Sequence, residues 1–459
     1  MTDLRLRLRG TDVPFFRKKR QPRVFIGFTE VANYYAHLQE GFDLLGVQCT
    51  RVTTVANRFS KLPPTRVERF AHWLSGLSAA PGRKRIALRV LLAAIEKVAL
   101  LYASFRYDVF IFGFGTSFDG CLTGKYRQRD LRYLRRRGKT VIAVYHGSDV
   151  RPPYLNGQCK GMSSSAIKKR TKAVATRIAR REKWVDLVIS HPPMAVMQSR
   201  PFVQYLTIGV PVSFTAELGS QEMVEFDNIA PYKKSVDTVT IVHAPSNPEL
   251  KGSEIIKCLI EELRLEGHVI EFVMLSNMPH AQVIEEIQRA DFVIDQIYSD
   301  TPMAHFAAEA AYFGVPAVVC GLDLLKIQDH VLGEDLKGLS QCGPPERLKQ
   351  LVLELIEDPV KRRQIGQRAR QYVRTNWAPE AVAKRLLILA KGEAPEEWFY
   401  DPVAGVQFLG GIGMSNIERC ALVQRYVKEQ GDKALYLDHK PITLSKLLES
   451  IYHSVDNSI

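Results

Sequence analysis

From Val239 to Cys320 the chain alternates apolar runs of strand length with segments of helical period. The runs are Val239–Val242, Val269–Leu275, Phe292–Ile297 and Val315–Cys320. Between them lie helical patterns that open at Ser253 and His280 and one that closes near Phe313. Few folds accept this rhythm. Strands separated by single helices imply right-handed crossovers and a parallel sheet. Such sheets bind ligands beyond the carboxyl ends of their strands. Two polar features stand at such ends: His243 to Gly252 after the first strand, and the approach to Glu309 after the third.

The first half repeats the rhythm. Expected strands are Arg23–Phe28, Val47–Val52, Tyr107–Gly113, Lys139–Tyr145, Val185–Ser190 and Gln204–Ile208. A helix follows the first strand from about Glu30, but GFTEVANYY has no G-x-G-x-x-G and is not a dinucleotide fingerprint. A chain of 459 residues exceeds one ordinary core. We therefore expect an α/β protein with a basic arm (1–21), a first Rossmann-like domain (22–212), a linker (213–236), a second Rossmann-like domain (237–391) and a tail (392–459) packed on the domains. KLPP interrupts the chain at Lys61–Pro64.

Seven cysteines form no C-x-x-C pair, which argues against a zinc site or a disulfide framework. The opening MTDLRLRLRG has no apolar core of signal-peptide type, so a cytoplasmic protein is expected. A net charge of +14 suggests a polyanion nearby (nucleic acid, an anionic membrane or phosphorylated ligands), the bland alternative for any single basic run being a solvated surface. No zinc-finger spacing or aromatic-basic recognition sequence favours nucleic acid. Arg66–Leu77 and the stretch from Ile86 read as basic amphipathic helices, the second placing Leu88, Leu91, Leu92, Ile95 and Ala99 on one face. Each can pack on the sheet or lie on an anionic bilayer as a peripheral contact.

Three places can carry chemistry. In Ala244–Gly252, small residues after a strand let backbone amides approach an anion, and Lys251 stands beside the start of the next helix. The bland alternative is an ordinary surface lysine. Glu309 shares a helix face with Phe306, Ala310 and Phe313, where a carboxylate needs hydrogen-bond donors. His146 follows a strand and precedes Gly147; a ligand contact and a structural histidine both fit. Asp149 and Arg151 can pair with each other. No D-x-D, Walker A or G-x-S-x-G sequence is present.

Together these residues resemble the GT-B glycosyltransferases, and within them the retaining family four. HAPSNPELKGSEII looks like the family's strand-loop-helix that holds the donor diphosphate, with Lys251 at the place of its lysine. AAEAAYFGVPAVV looks like the second half of its E-x7-E motif, and KTVIAVYHGSDVR like the strand and His-Gly turn that faces the sugar. The resemblance implies a GT-B fold, with two Rossmann-like domains facing across a cleft. It implies donor contacts from His243, Ser246, Asn247, Lys251, Gly252, Asp300, Thr301 and Glu309, the last at the ribose, and a catalytic place for His146. Thr301 stands where the family has its first glutamate, and Pro302-Met303-Ala304 replaces its G-F-G.

The reaction implied by the resemblance is a retaining, metal-free sugar transfer from a nucleoside-diphosphate sugar, with no cofactor, to a glycan or lipid-linked acceptor. Cell-surface polysaccharide or glycolipid synthesis is the natural setting by this analogy. The alternative is a non-catalytic GT-B-like accessory subunit of a glycan-assembly complex. An epimerase on the same fold would need a second set of acid and base carboxylates, and none is seen in this sequence.

Overall fold

The computed structural model describes residues 20–54, 65–77, 84–124, 127–214 and 238–456. Nearly all of the expected arm and linker, and the break at Lys61–Pro64, lie outside them. The chain divides into two compact units. One gathers Met1–Arg151, Lys172–Pro211 and Pro379–Gly405; the other gathers Pro152–Thr171, Val212–Ala378 and Val406–Ile459.

The first unit is built on a seven-stranded sheet in the order β12-β6-β5-β4-β3-β1-β2. Its strands are β1 (Val24–Phe28), β2 (Cys49–Thr53), β3 (Val109–Gly113), β4 (Thr140–Val144), β5 (Leu187–Ser190), β6 (Phe202–Gln204) and β12 (Phe399–Tyr400). All neighbours run parallel except β12, which pairs antiparallel with β6. Every residue of β1, β3, β4 and β5 is buried, as expected of strands covered on both faces. The helices are α1 (Tyr34–Leu44), α2 (Arg66–Leu77), α3 (Lys84–Arg106), α4 (Arg129–Arg136), α5 (Ser164–Trp184) and the single turn α6 (Tyr205–Ile208). Right-handed crossovers put α1 on one face of the sheet and α3, α4 and α5 on the other.

The second unit is built on a five-stranded sheet in the order β11-β10-β9-β7-β8. It comprises β7 (Val239–His243), β8 (Ile270–Met274), β9 (Phe292–Gln296), β10 (Ala317–Cys320) and β11 (Gln341–Gly343), all parallel. Its helices are α7 (Pro248–Lys251), α8 (Ser253–Leu265), α9 (His280–Arg289), α10 (His305–Tyr312), α11 (Leu324–His330), α12 (Leu348–Glu357) and α13 (Pro359–Asn376). Ile256, Leu259, Ile260 and Leu263 of α8 pack with Leu348, Leu351, Val352 and Leu355 of α12 in one apolar cluster over Ile241, Ile294 and Val318. Helix α14 (Pro379–Lys391) returns to the first unit, while α15 (Asn416–Gln430) and α16 (Pro441–Asp456) belong to the second.

Two expectations need correction. Gln204–Ile208 was expected as a strand; the strand is Phe202–Gln204, and Tyr205–Ile208 is a helical turn ended by Gly209 at φ +99°. Tyr205, Leu206 and Ile208 are all buried, and so short an apolar run carries no decisive period. In α3 the buried residues are Leu92, Glu96, Leu100, Ala103 and Ser104 among those described, whereas Leu91 is 57% exposed. That helix is apolar on two sides, and its periodicity does not say which one faces the sheet.

Candidate functional site

Both sheets reverse strand order once. In the second, β8 lies on one side of β7 and β9 on the other; in the first, β2 and β3 flank β1 in the same way. The loops leaving the two central strands diverge at such a switch point and open a crevice at the carboxyl ends.

In the second unit the β7–β9 crevice is lined by charged groups. Pro248 and the Asn247 side chain, whose Oδ1 accepts from the Leu250 amide at 3.2 Å, start the single turn α7. Gly252 then turns the chain at φ +75°, where a Cβ would lie 2.9 Å from the Ile297 side chain. Ser246 and Asn247 are exposed at the rim. Lys251 ends α7, and its Nζ lies 2.5 Å from Oδ1 of Asp295, which is wholly buried, and 5.8 Å from the centroid of the Phe306 ring. The other Asp295 oxygen is buried without a hydrogen-bond partner among the described residues.

His243 takes a different place from that implied by the resemblance. It is buried, with Nδ1 2.7 Å from the Ile294 carbonyl and Nε2 2.8 Å from Ser253 Oγ. It ties β7 to β9 and to the start of α8. Desolvation, aided by nearby Lys251, brings its pKa down to about 4.

Glu309 sits on α10 with Oε1 2.8 Å from His280 Nε2 at the start of α9. The His280 ring lies nearly parallel to Phe214 at 6.4 Å, and Phe214 packs on Tyr312 and Phe313. Asp300 is buried. The Thr301 amide donates to Ser299 Oγ at 3.1 Å, and the Thr301 hydroxyl is buried without a hydrogen-bond partner among the described residues. A sugar hydroxyl or a water there meets an unsatisfied group.

Asp295 and His280 were missed from the sequence. An aspartate in the apolar run FVIDQ was a signal of a buried polar contact. Nothing in the sequence showed that β9 slips by one residue against β10 at this point: Val318 pairs with Ile294 but Val319 with Gln296. Such a bulge re-aims the side chain it releases.

The first unit places His146 just beyond β4. Its Nε2 lies 2.7 Å from Tyr35 Oη, and its ring meets Tyr34, Tyr35 and Tyr205 edge-on at 5.2, 5.4 and 5.8 Å. Asp149 Oδ1 accepts the His146 and Gly147 amides at 3.1 and 2.9 Å, while its Oδ2 is buried without a hydrogen-bond partner among the described residues. Gly147 has φ +141°, and a Cβ there would lie 3.0 Å from the Arg151 guanidinium. Burial keeps the Tyr35 phenol well above its ordinary pKa and therefore protonated. The two carboxyl-end clusters thus differ: one carries the Lys251–Asp295 ion pair and the Glu309–His280 hydrogen bond, the other a histidine beyond β4 in a wall of neutral phenols.

Two parallel-sheet, Rossmann-like units in one chain make this an α/β protein. No family model matches the sequence, and no curated protein does. Solved structures do. The catalytic domain of starch synthase IV from Arabidopsis thaliana, bound to ADP and acarbose, aligns over 82% of this chain and 99% of its own at 8% identity, with a TM-score of 0.47. An α-glucosyltransferase in complex with UDP and a 13-mer DNA aligns over 81% and 100% at 10% identity, with a TM-score of 0.46. A glycosyltransferase from Rickettsia africae aligns over 82% and 99% at 12% identity, with a TM-score of 0.43. Likeness at this level transfers neither an activity nor a residue role.

Proposed function

We propose that this chain is a glycosyltransferase that takes its sugar from a nucleoside-diphosphate sugar bound at the β7–β9 switch point. One observation carries the reading. Lys251, at the end of a loop whose residues Ser246 to Glu249 are exposed, is held at the crevice by a buried carboxylate. Its ammonium has three donors, and Asp295 takes one. The others are free to meet diphosphate oxygens. Thr301, Asp300 and Glu309 supply hydroxyl-directed contacts for sugar and ribose.

The proposed reaction retains configuration. The bond from sugar C1 to the diphosphate oxygen breaks, the acceptor oxygen bonds to C1 on the same face, and the acceptor proton passes to the departing diphosphate. Lys251 and the loop amides stabilise the growing negative charge, so the step needs no metal. The His146–Tyr35 pair in the first unit is assigned to hydroxyls of the reacting sugars. A glycan or lipid-linked acceptor fits this reading, in polysaccharide or glycolipid synthesis.

Thermal shift and nucleotide release with a panel of nucleotide sugars test it. One nucleotide should stabilise the protein, and Lys251→Ala and Glu309→Gln should each remove the effect. Absence of any nucleotide binding overturns the site assignment. A second reading, a non-catalytic accessory subunit, is favoured by the engagement of Glu309 with His280. Binding without turnover, with membrane extract supplied as acceptor, selects it.

A further inference from the structure

Helix α3 covers the first sheet with one side only. Leu92, Leu100 and Ala103 face inward, with the carboxylate of Glu96 accepting the Leu122 and Thr123 amides at 2.8 and 2.9 Å. On the opposite side Leu91, Val98, Leu101, Tyr102 and Phe105 recur at helical spacing with 57%, 68%, 50%, 65% and 63% of their surface exposed, and Val90 flanks them at 66%. The stripe runs about 22 Å at 1.5 Å per residue. Scattered exposed apolar residues are ordinary; a continuous stripe of this size marks an interaction surface.

Its neighbours say what kind. The C-terminal end of the stripe adjoins α4: Ser104 Oγ lies 3.3 Å from Tyr133 Oη, and the Arg137 guanidinium lies 4.5 Å from the centroid of the Phe105 ring. Helix α4 exposes Arg129, Arg132 and Arg136 as well. It is joined in turn to α5, where Arg132 stacks over Trp184 at 5.1 Å and Arg135 donates to the Lys183 carbonyl at 3.1 Å. Lys183 and Arg180 are exposed there. One face of the sheet therefore offers an apolar stripe bordered by a field of arginine and lysine. Apolar burial at the acyl boundary beside basic side chains at headgroup level is the chemistry of an interfacial helix. Among the described residues no helix is long and apolar enough to cross a membrane.

We infer that the α3–α4 face of the first unit docks on an anionic bilayer surface, with the stripe lying in the interface and the α4 arginines on acidic headgroups. The inference stands independently of the nucleotide site. A protein partner would be drawn to the apolar stripe as well, but has no general need of the arginine border.

Vesicle sedimentation decides it, with full-length protein and vesicles of phosphatidylcholine alone or mixed with phosphatidylglycerol. Binding is expected to the mixed vesicles only and to weaken steeply with salt. Leu101→Glu/Phe105→Glu should abolish it. Arg132→Gln/Arg136→Gln should weaken it about 25-fold, from roughly fivefold per charge. All four positions belong to the first unit and the nucleotide crevice to the second, so nucleotide-induced thermal stabilisation of the variants, or their circular dichroism if no nucleotide binds, reports that they are folded. Equal binding to neutral vesicles, no binding to mixed ones, or unchanged binding of a folded Leu101→Glu/Phe105→Glu variant overturns the inference. So does a wild-type dimer in light scattering that the same variant dissociates, which assigns the stripe to a second copy.

Discussion

The two sheets share a strand order around their central strands and differ in what stands at the carboxyl ends of their strands. At β7–β9 the crevice holds Lys251 on buried Asp295 and Glu309 on His280. At the corresponding end of the first sheet His146 touches Tyr35 and lies among Tyr34 and Tyr205. The Lys251–Asp295 ion pair is suited to a multiply charged ligand, because its ammonium can turn to it without being desolvated anew. Neutral phenols and an imidazole suit hydroxyls and sugar rings. One topology supplies two places; the side chains decide what each can recognise.

Lys251→Ala should break this comparison most sharply. It removes the cation from the crevice and strands the Asp295 carboxylate in the core. The second loss costs about 3–5 kcal/mol of unfolding free energy, the range for breaking a buried pair. Asp295→Asn in the same background should restore most of that stability in urea melts and none of the nucleotide binding. His146→Ala should leave nucleotide binding within about twofold. If it weakens binding as much as Lys251→Ala does, the division of labour between the units is wrong.

Acid should act on the two units with opposite sign. Burial raises the Glu30 carboxyl to about 7, against the opposing charge of Arg51. The folded protein then holds a proton that the unfolded chain has lost, so this group's contribution is full below the ordinary carboxylate pKa and fades as pH rises through 7. His243, brought down to about 4, does the reverse: its contribution is full above the ordinary histidine pKa and is lost as pH falls toward 4. Each contributes about 3 kcal/mol, since a tenfold change in proton affinity between folded and unfolded chain is worth about 1.4 kcal/mol. Urea melts from pH 4 to 8 should show Glu30→Gln destroying the first slope and His243→Gln the second. Equal slopes in wild type and variants would show that neither group is perturbed by burial.

The smallest effect concerns the phenol wall. Tyr35→Phe removes one hydrogen bond to His146 and should cost about 1 kcal/mol in the same melts. Nucleotide binding should not move.

The central β-α-β alternation was legible because buried parallel strands must be almost wholly apolar and helices between them must be amphipathic. Lys251 was legible from its place beside a glycine turn. Its partner was not, since the bulge that frees Asp295 depends on how β9 meets β10 and leaves no mark on either strand alone. The two-sided apolarity of α3 hid its orientation: Leu91 and Leu92 are equally apolar, and only the sheet chooses between them. Strand β11 and helix α14 escaped notice for different reasons. The strand has three residues, and the helix is patterned like any amphipathic one, with nothing to indicate which sheet it serves.

Helix α14 also bears on how the molecule is made. Gly41 of α1 lies so close to α14 that a Cβ would meet the Pro379 carbonyl oxygen at 2.0 Å, and β12 then closes the edge of the first sheet at Phe202 and Val203. A ribosome delivers these pieces only after every strand of the other sheet has emerged. The earlier unit must therefore wait, its α1 surface and β6 edge uncovered, until the later one has been synthesised. A chain cut after residue 212 should aggregate in translation extracts, and supplying residues 379–405 on a flexible tether should rescue it.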